Sequence, residues 1–408
     1  MIRSRVHHIR EKKDKKGKDM KEVKNDEKIQ KKDVNDKGKD AKDKSKNIKA
    51  SISKKERHSS QESDHRPNES DQKSKKVQIT DKKSLIKFIS SFESIKPAER
   101  LLKKTGYKFV IDADKQEVLW NAKTGERFKF VDDPSYKLTA DLVNEYIRMR
   151  ILEQFEMEEK MIPFSKDMTD KEYSTAPIFI SPDWKTNTKA ALVLIQGTGD
   201  VRAGLWARSV CINDSLDKGS MLPQIKFAVE NDMACLIMNP NYHEDKKGNP
   251  VDPRISTMEK HWNYVFKKFV VGRCQAEKVY IIAHSAGGRC LTTLYKRFTQ
   301  EFHDRVKSIV LTDSAHKDIR NGLIDQEEED FMAQVWIHFV KSDNKIGEKE
   351  DNSQDPIMPT FSAGHSKHEY TTGYSWPKIQ NIFKNMSNKE LKKVDLCCFS
   401  KASYRKTE

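Results

Sequence analysis

Apolar positions are sparse before Leu85 and then fall into three successive patterns. Leu85, Ile86, Phe88 and Ile89 begin a short amphipathic helix. Short strand-like runs follow at Tyr107–Asp112, Val118–Trp120 and Arg127–Phe130. They are separated by Asp114-Lys115-Gln116 and by Lys123-Thr124-Gly125-Glu126, which predicts a small antiparallel ribbon. Leu138–Glu158 then sets Leu142, Tyr146, Ile147, Met149, Ile151, Leu152 and Phe155 broadly at helical spacing, predicting a helix that packs on a sheet.

From residue 175 the pattern changes to short apolar runs separated by helical stretches, the signature of βαβ units. It predicts strands at Pro177–Ile180, Ala190–Ile195, Met233–Met238, Lys278–Ala283, Val306–Thr312 and Gln334–Val340. Runs as continuous as Ala191-Leu192-Val193-Leu194-Ile195 suit parallel strands covered on both faces. Leu222–Glu230, Met258–Val271 and Gly288–Phe302 read as crossover helices. The expected fold class is therefore α/β, a mostly parallel sheet with helices on both faces.

Charge divides the chain. Residues 1–80 hold 26 Lys/Arg against 15 Asp/Glu, so most of the net charge of +15 lies in this leader. A segment such as Glu11–Ser45 has too few apolar residues to offset the entropy of ordering it. The expected organisation is a disordered Lys-rich leader (1–80), a short helix and linker (81–105), an α/β domain (106–385) and a basic C-terminal tail (386–408). The leader either attracts nucleic acid, acidic proteins or an anionic surface, or targets the nucleus, or only solubilises the chain. Any nucleic-acid binding would rest on it alone, since no recognised reading module follows.

No apolar stretch is long enough for a transmembrane helix. Arg3, Arg5, His7, His8 and Arg10 lead into more lysines and not into an apolar core, which argues against secretion. The cysteines (Cys211, Cys235, Cys274, Cys290, Cys397, Cys398) show no paired C-x-x-C spacing. Neither a metal nor another cofactor is expected, and a reducing compartment, nucleus or cytoplasm, is the default.

The candidate chemistry lies where the run Val279-Tyr280-Ile281-Ile282-Ala283 meets His284-Ser285-Ala286-Gly287-Gly288 and a helical pattern. A strand, a tight turn with Ser at its apex and a helix form the nucleophile elbow, which lifts Oγ clear of the sheet. Ala283 and Gly287 supply small residues on either side, with Ala where Gly is usual. The plainer alternative is that Ser285 only caps a helix. Oxyanion donors would be the Ala286 N–H and the Gln196-Gly197-Thr198-Gly199 turn, offering Gly197, Thr198 and Gly199. Such a turn also serves as an ordinary strand-to-helix connection. In the chain order Ser, acid, His, the base is His365 or His368 and the acid Asp313 or Asp343, each beyond a strand end. His284 is expected to pack or hydrogen-bond beside the nucleophile instead of acting as base.

Five ordered segments carry a resemblance: Gly199-Asp200-Val201-Arg202-Ala203-Gly204-Leu205-Trp206-Ala207-Arg208, Met238-Asn239-Pro240-Asn241, Ala283–Gly288, Thr312-Asp313-Ser314-Ala315-His316, and Ser362-Ala363-Gly364 with His368-Glu369. Together they resemble the Arb2 domain family, in particular its animal cotranscriptional-regulator branch, named for Argonaute binding. The resemblance runs from about Gly106 to Phe383. It implies an α/β-hydrolase fold with Ser285 at the elbow, prefers His368 to His365 as base, and prefers Asp313 to Asp343 as acid. It also implies nuclear work with Argonaute or chromatin-associated partners, including small-RNA-directed heterochromatin formation and alternative splicing. Two readings follow, a nuclear regulatory scaffold and an intracellular serine esterase or amidase.

Overall fold

In a computed structural model of the chain, the residues described are 100, 102, 106–130, 133–168, 172–316, 326–351 and 357–387. The 1–80 leader, the helix expected from Leu85 and the tail beyond 387 lie outside them.

The ribbon comprises β1 (Tyr107–Ile111), β2 (Glu117–Asn121) and β3 (Glu126–Arg127), paired antiparallel in that order. Its first turn closes because the Asp112 carboxylate accepts from the N–H groups of Asp114 and Gln116 at 3.0 and 2.9 Å. α1 (Asp133–Gln154) follows, then β4 (Glu158–Ile162), β5 (Ala176–Ile180), β6 (Ala190–Ile195), α2 (Arg208–Asn213), α3 (Leu216–Gly219), α4 (Leu222–Glu230) and β7 (Met233–Ile237). α5 (Met258–Val265) continues as a π-helical segment, Phe266–Val271, before β8 (Lys278–His284), α6 (Gly287–Arg297), α7 (Thr299–Arg305) and β9 (Val306–Thr312). The chain closes with α8 (Gln326–Val335), β10 (Trp336–Val340), β11 (Thr360–Ser362) and α9 (Thr371–Ser387).

The main sheet has the order β11-β10-β9-β8-β6-β7-β5-β4. β5 runs antiparallel to both neighbours, and β6 to β11 are all parallel. Eight strands in this order, with the second in sequence reversed, are the α/β-hydrolase arrangement. Side-chain alternation feeds a core on each face. Leu192, Leu194, Tyr280 and Ile282 join the cluster under α1, α4 and α9, whereas Ala191, Val193, Ile195, Val279, Ile281 and Ala283 join the one under α5 and α6. Full burial on both faces is what makes these strands read as unbroken apolar runs, and each large aliphatic side chain so buried contributes about 1.5–3 kcal/mol.

Several elements depart from the pattern-based expectation. The helix expected over Leu138–Glu158 begins at Asp133 and stops at Gln154, where Glu156 takes a left-handed conformation (φ 51°). Glu158-Glu159-Lys160 then enter the sheet as an edge strand, whose charges hide it from an apolar search. Gln334 and Val335 end α8 and do not begin a strand, and Gly288–Phe302 divides into α6 and the start of α7. Leu102 is buried in the first core cluster, so the core reaches back before Gly106, and α9 runs on to Ser387. Among the described residues no helix is long and apolar enough to cross a membrane.

α9 packs against β9 and β10 and presses Gly373 against α3. A Cβ on Gly373 would lie 2.7 Å from Lys218 Cα and 2.8 Å from its carbonyl carbon. Gly373→Ala is expected to destabilise the protein by about 1–3 kcal/mol, read as a lowered urea midpoint; an unchanged midpoint contradicts this packing.

Candidate active site

The sheet switches direction at β6, because β7 lies on one side of it and β8 on the other. In open α/β sheets the carboxyl ends of strands flanking such a switch form the natural crevice. The loops after β6 and β8 both open there. Ser285, directly after β8, has φ +54°, the left-handed region that a non-glycine residue occupies only when its surroundings enforce it. They do so here. The Ser285 N–H donates to Thr312 O at 3.0 Å, and its carbonyl accepts from the N–H groups of Gly288 and Ala315, both at 3.1 Å. α6 starts immediately behind, with Ala286 at its N-cap position and in helical conformation. Ser285 is thus at the apex of a strained turn and is no ordinary cap.

The three small residues around the turn are sterically required. A Cβ on Gly197 would lie 2.7 Å from Ser285 Cβ and 3.2 Å from its Oγ. One on Gly287 would lie 2.9 Å from Ile195 O, and one on Gly288 would overlap the Ser314 side chain. The backbone after β6 therefore lies directly against the serine. Thr198 and Gly199 continue exposed along the rim, Gly199 with φ +112°. Gly197 lies against Ser285 and Thr198 lines the same cleft, so this turn stands beside the serine.

His368 and Asp313 come together from loops 55 residues apart, with Nδ1 and Oδ2 separated by 2.5 Å. Asp313 follows β9 with φ +39°, and its backbone N–H donates to Phe339 O at 2.7 Å. Burial raises the Asp313 pKa, but the bond to His368 and the approach of Lys341 more than offset this, leaving the carboxyl below its ordinary range. It is ionised at neutral pH and accepts the Nδ1–H of His368. The His368 ring also packs on the tilted ring of His284, centroids 4.7 Å apart. His284 itself is buried, with Nδ1 3.0 Å from Thr312 O, and so donates its single proton there. Burial, aided by the neighbouring His368, pushes its pKa down to about 4. It is therefore a neutral platform under the His368 ring.

The other candidates lie elsewhere. His365 stacks on Tyr370 at 4.3 Å and meets the tilted ring of Tyr374 at 4.6 Å, and its Nδ1 accepts from the Lys367 N–H. Asp343 is exposed and lines a separate surface groove with Lys345, Ile346 and Lys378. Ser285, His284 and His368 share a cleft of about 230 Å³ with Thr198, Tyr136 and Arg208. Tyr136, at the start of α1, packs on Phe130 from the ribbon, and Arg208 pairs with Asp200 while lying 5.9 Å from the Tyr136 ring. Sequence reasoning missed this wall. Tyr136 carries no motif, and only the ribbon's packing brings it to a serine 149 positions away.

A profile of the Arb2 domain matches residues 99–346, more than half of the chain. The chain belongs to the Arb2 domain family. It is 29% identical over 310 residues to the cotranscriptional regulator ARB2A homolog of Dictyostelium discoideum, covering 67% of this chain and 76% of that protein. To the Homo sapiens cotranscriptional regulator ARB2A it is 26% identical over 334 residues, covering 70% and 76%. Among solved structures, a histone deacetylase from Saccharomyces cerevisiae matches with TM-score 0.41 and 10% identity over 61% of this chain and 98% of that one.

In this Arb2 domain the neutral His284 has a measurable cost in acid. Its folded pKa lies below the unfolded value of about 6.5, so stability is full above that pH and is lost as the pH falls from about 6.5 toward 4. The loss approaches about 1.4 kcal/mol per pH unit. His284→Gln, which cannot titrate, should flatten urea-unfolding stability against pH by that amount within this window. Equal slopes for both proteins would contradict the buried neutral imidazole.

Proposed function

We propose that this protein is a nuclear cotranscriptional regulator whose α/β-hydrolase domain retains a serine-hydrolase site for an ester or amide. The observation that carries the chemical part is the 2.5 Å His368–Asp313 pair, whose His368 lines the same cleft as Ser285. The regulatory part is supported by the names of the Dictyostelium and human relatives, both called cotranscriptional regulators.

In this reading the Ser285 Oγ attacks the substrate carbonyl as His368 Nε2 takes its proton. Asp313 holds the ring through Nδ1 and stabilises the imidazolium that forms. The oxyanion is received by the Ala286 N–H and by an N–H of the Gly197–Gly199 turn. His368 then returns the proton to the leaving alcohol or amine, and water releases the acyl group by the same steps in reverse. No hydrogen bond joins Ser285 to His368 among the described residues; catalytic bonds of this kind often tighten only with substrate bound.

Partner binding is a separate property of the same domain. The resemblance that distinguishes this family points to Argonaute or chromatin-associated proteins, with heterochromatin and alternative splicing as the processes served. Such binding uses surface and not the nucleophile.

Two measurements test the pair of claims. A fluorophosphonate probe should label the wild-type protein at Ser285, leave Ser285→Ala unlabelled and react with Asp313→Asn about 10²–10⁴-fold more slowly; no wild-type labelling beside a reactive control hydrolase overturns the enzymatic claim. Ser285→Ala should retrieve Argonaute from nuclear extract as well as wild type does, and failure of both proteins to retrieve it overturns the partner claim.

A further inference from the structure

The oxyanion turn has little of its own to hold it. Thr198, Gly199 and Asp200 are exposed, and Gly199 sits in a left-handed conformation. Besides the Asp200–Arg208 pair, the turn is held by the neighbouring loop after β7, through Asn239 and Asn241. Both are almost fully buried, with 2% and 4% of their surface exposed. Asn241 Nδ2 donates to Gly197 O at 2.7 Å and to Val201 O at 3.3 Å. Asn239 Oδ1 accepts from the Ala203 N–H at 3.0 Å, with Gln196 Nε2 at 3.5 Å. The two amides thus grip the segment at both ends. Their own loop is anchored in turn, because the Asn239 N–H donates to Nε2 of the buried His261 at 3.1 Å, and Arg202 donates to Asn241 O at 3.1 Å. Burial lowers the His261 pKa to about 3, so this ring remains a neutral acceptor.

The bond to Gly197 O has a directional consequence. A trans peptide unit is planar, and its C=O and N–H point in opposite directions. With the Gly197 carbonyl drawn to Asn241, the N–H of the same peptide, which belongs to Thr198, points away from Asn241. Thr198 lines the cleft beside Ser285, and Gly197 lies against the serine.

We propose that Asn241, supported by Asn239, is the positioning residue that orients the Gly197–Thr198 peptide so that the Thr198 N–H is the second oxyanion donor. This rests on the hydrolase reading and sharpens it, singling out one N–H among those of Gly197, Thr198 and Gly199. Asn241 itself does not touch substrate. It acts through the carbonyl it holds.

The test exploits the fact that Asn241 is needed for its N–H₂ group. Asn241→Asp preserves shape but places a carboxylate against two carbonyl oxygens; when protonated, the same side chain again supplies a donor. Fluorophosphonate labelling of Asn241→Asp at pH 8 is expected to fall on the order of 10²-fold, the usual effect of losing one oxyanion donor. Relative to wild type at the same pH, the rate should recover on going to pH 5. Asn241→Ala should be slow at both pH values and show no such recovery. It also carries the comparison if the carboxylate unfolds the chain.

Hydrogen exchange of peptides spanning 197–206 supplies a readout independent of activity, and both variants should exchange faster there. Wild-type labelling rates with wild-type protection in the variants would overturn the proposal. So would lost protection without slower labelling, or an Asn241→Asp deficit that is the same at both pH values. If wild type itself is not labelled, the hydrolase reading fails with the donor assignment, while the exchange data still decide the clamp: unchanged protection overturns it.

Discussion

Ser285 can hold its left-handed conformation only because, at three glycines, neighbouring segments come closer than side chains would allow. Gly197 meets it from the β6 loop, Gly287 meets the carbonyls of Ile195 and Gln196, and Gly288 meets Ser314 beyond β9. A Cβ at any of these positions would force apart two parallel strands or push α6 off the sheet. The same crowding fixes where Ser285, the Gly197–Gly199 turn and the loop bearing Asp313 stand relative to one another. Backbone strain of this kind costs on the order of 1–3 kcal/mol and survives only where packing over-determines it. Here that packing consists of β6, β8 and β9, whose side chains are buried on both faces.

The remainder of the site is assembled by long-range contacts onto that fixed point. Asp313, also at positive φ, turns back from β9 to reach His368, which arrives after β11. His284 supports the same ring from below and gives its proton to Thr312, whose hydroxyl in turn lies 2.6 Å from that of Thr372 on α9. Asp313 and His284 each have a defined state: the carboxylate charged by its partners, the buried imidazole neutral by desolvation. His368 is thereby held on one edge by charge and on one face by a ring that carries none.

How much of this could be read from the chain alone follows from the range of the forces involved. β6 and β9 match their expected extents, because burial on both faces leaves consecutive apolar residues, all of β6 and Ile309–Leu311 within β9. β4 does not, since an edge strand needs only one covered face and here carries Glu158, Glu159 and Lys160. β11, three residues long, offers no periodicity to detect. Around the candidate site, strand ends and ordered motifs single out Ser285, Asp313 and His368 in the sequence, and the structure pairs Asp313 with His368 and sets His368 in a cleft with Ser285. Asn241, whose amide reaches Gly197 across 44 positions, and Tyr136 were not assigned roles, because nothing local to them specifies what they touch.

An α/β-hydrolase scaffold in a family of cotranscriptional regulators raises the question of whether the assembled site still stabilises a tetrahedral centre. The structure of the protein phosphonylated at Ser285 answers this most directly. The account predicts a phosphonyl oxygen about 3 Å from both the Ala286 and the Thr198 N–H groups, with His368 still paired to Asp313. An adduct whose oxygen points into solvent, with the Gly197–Gly199 turn unengaged, would contradict it.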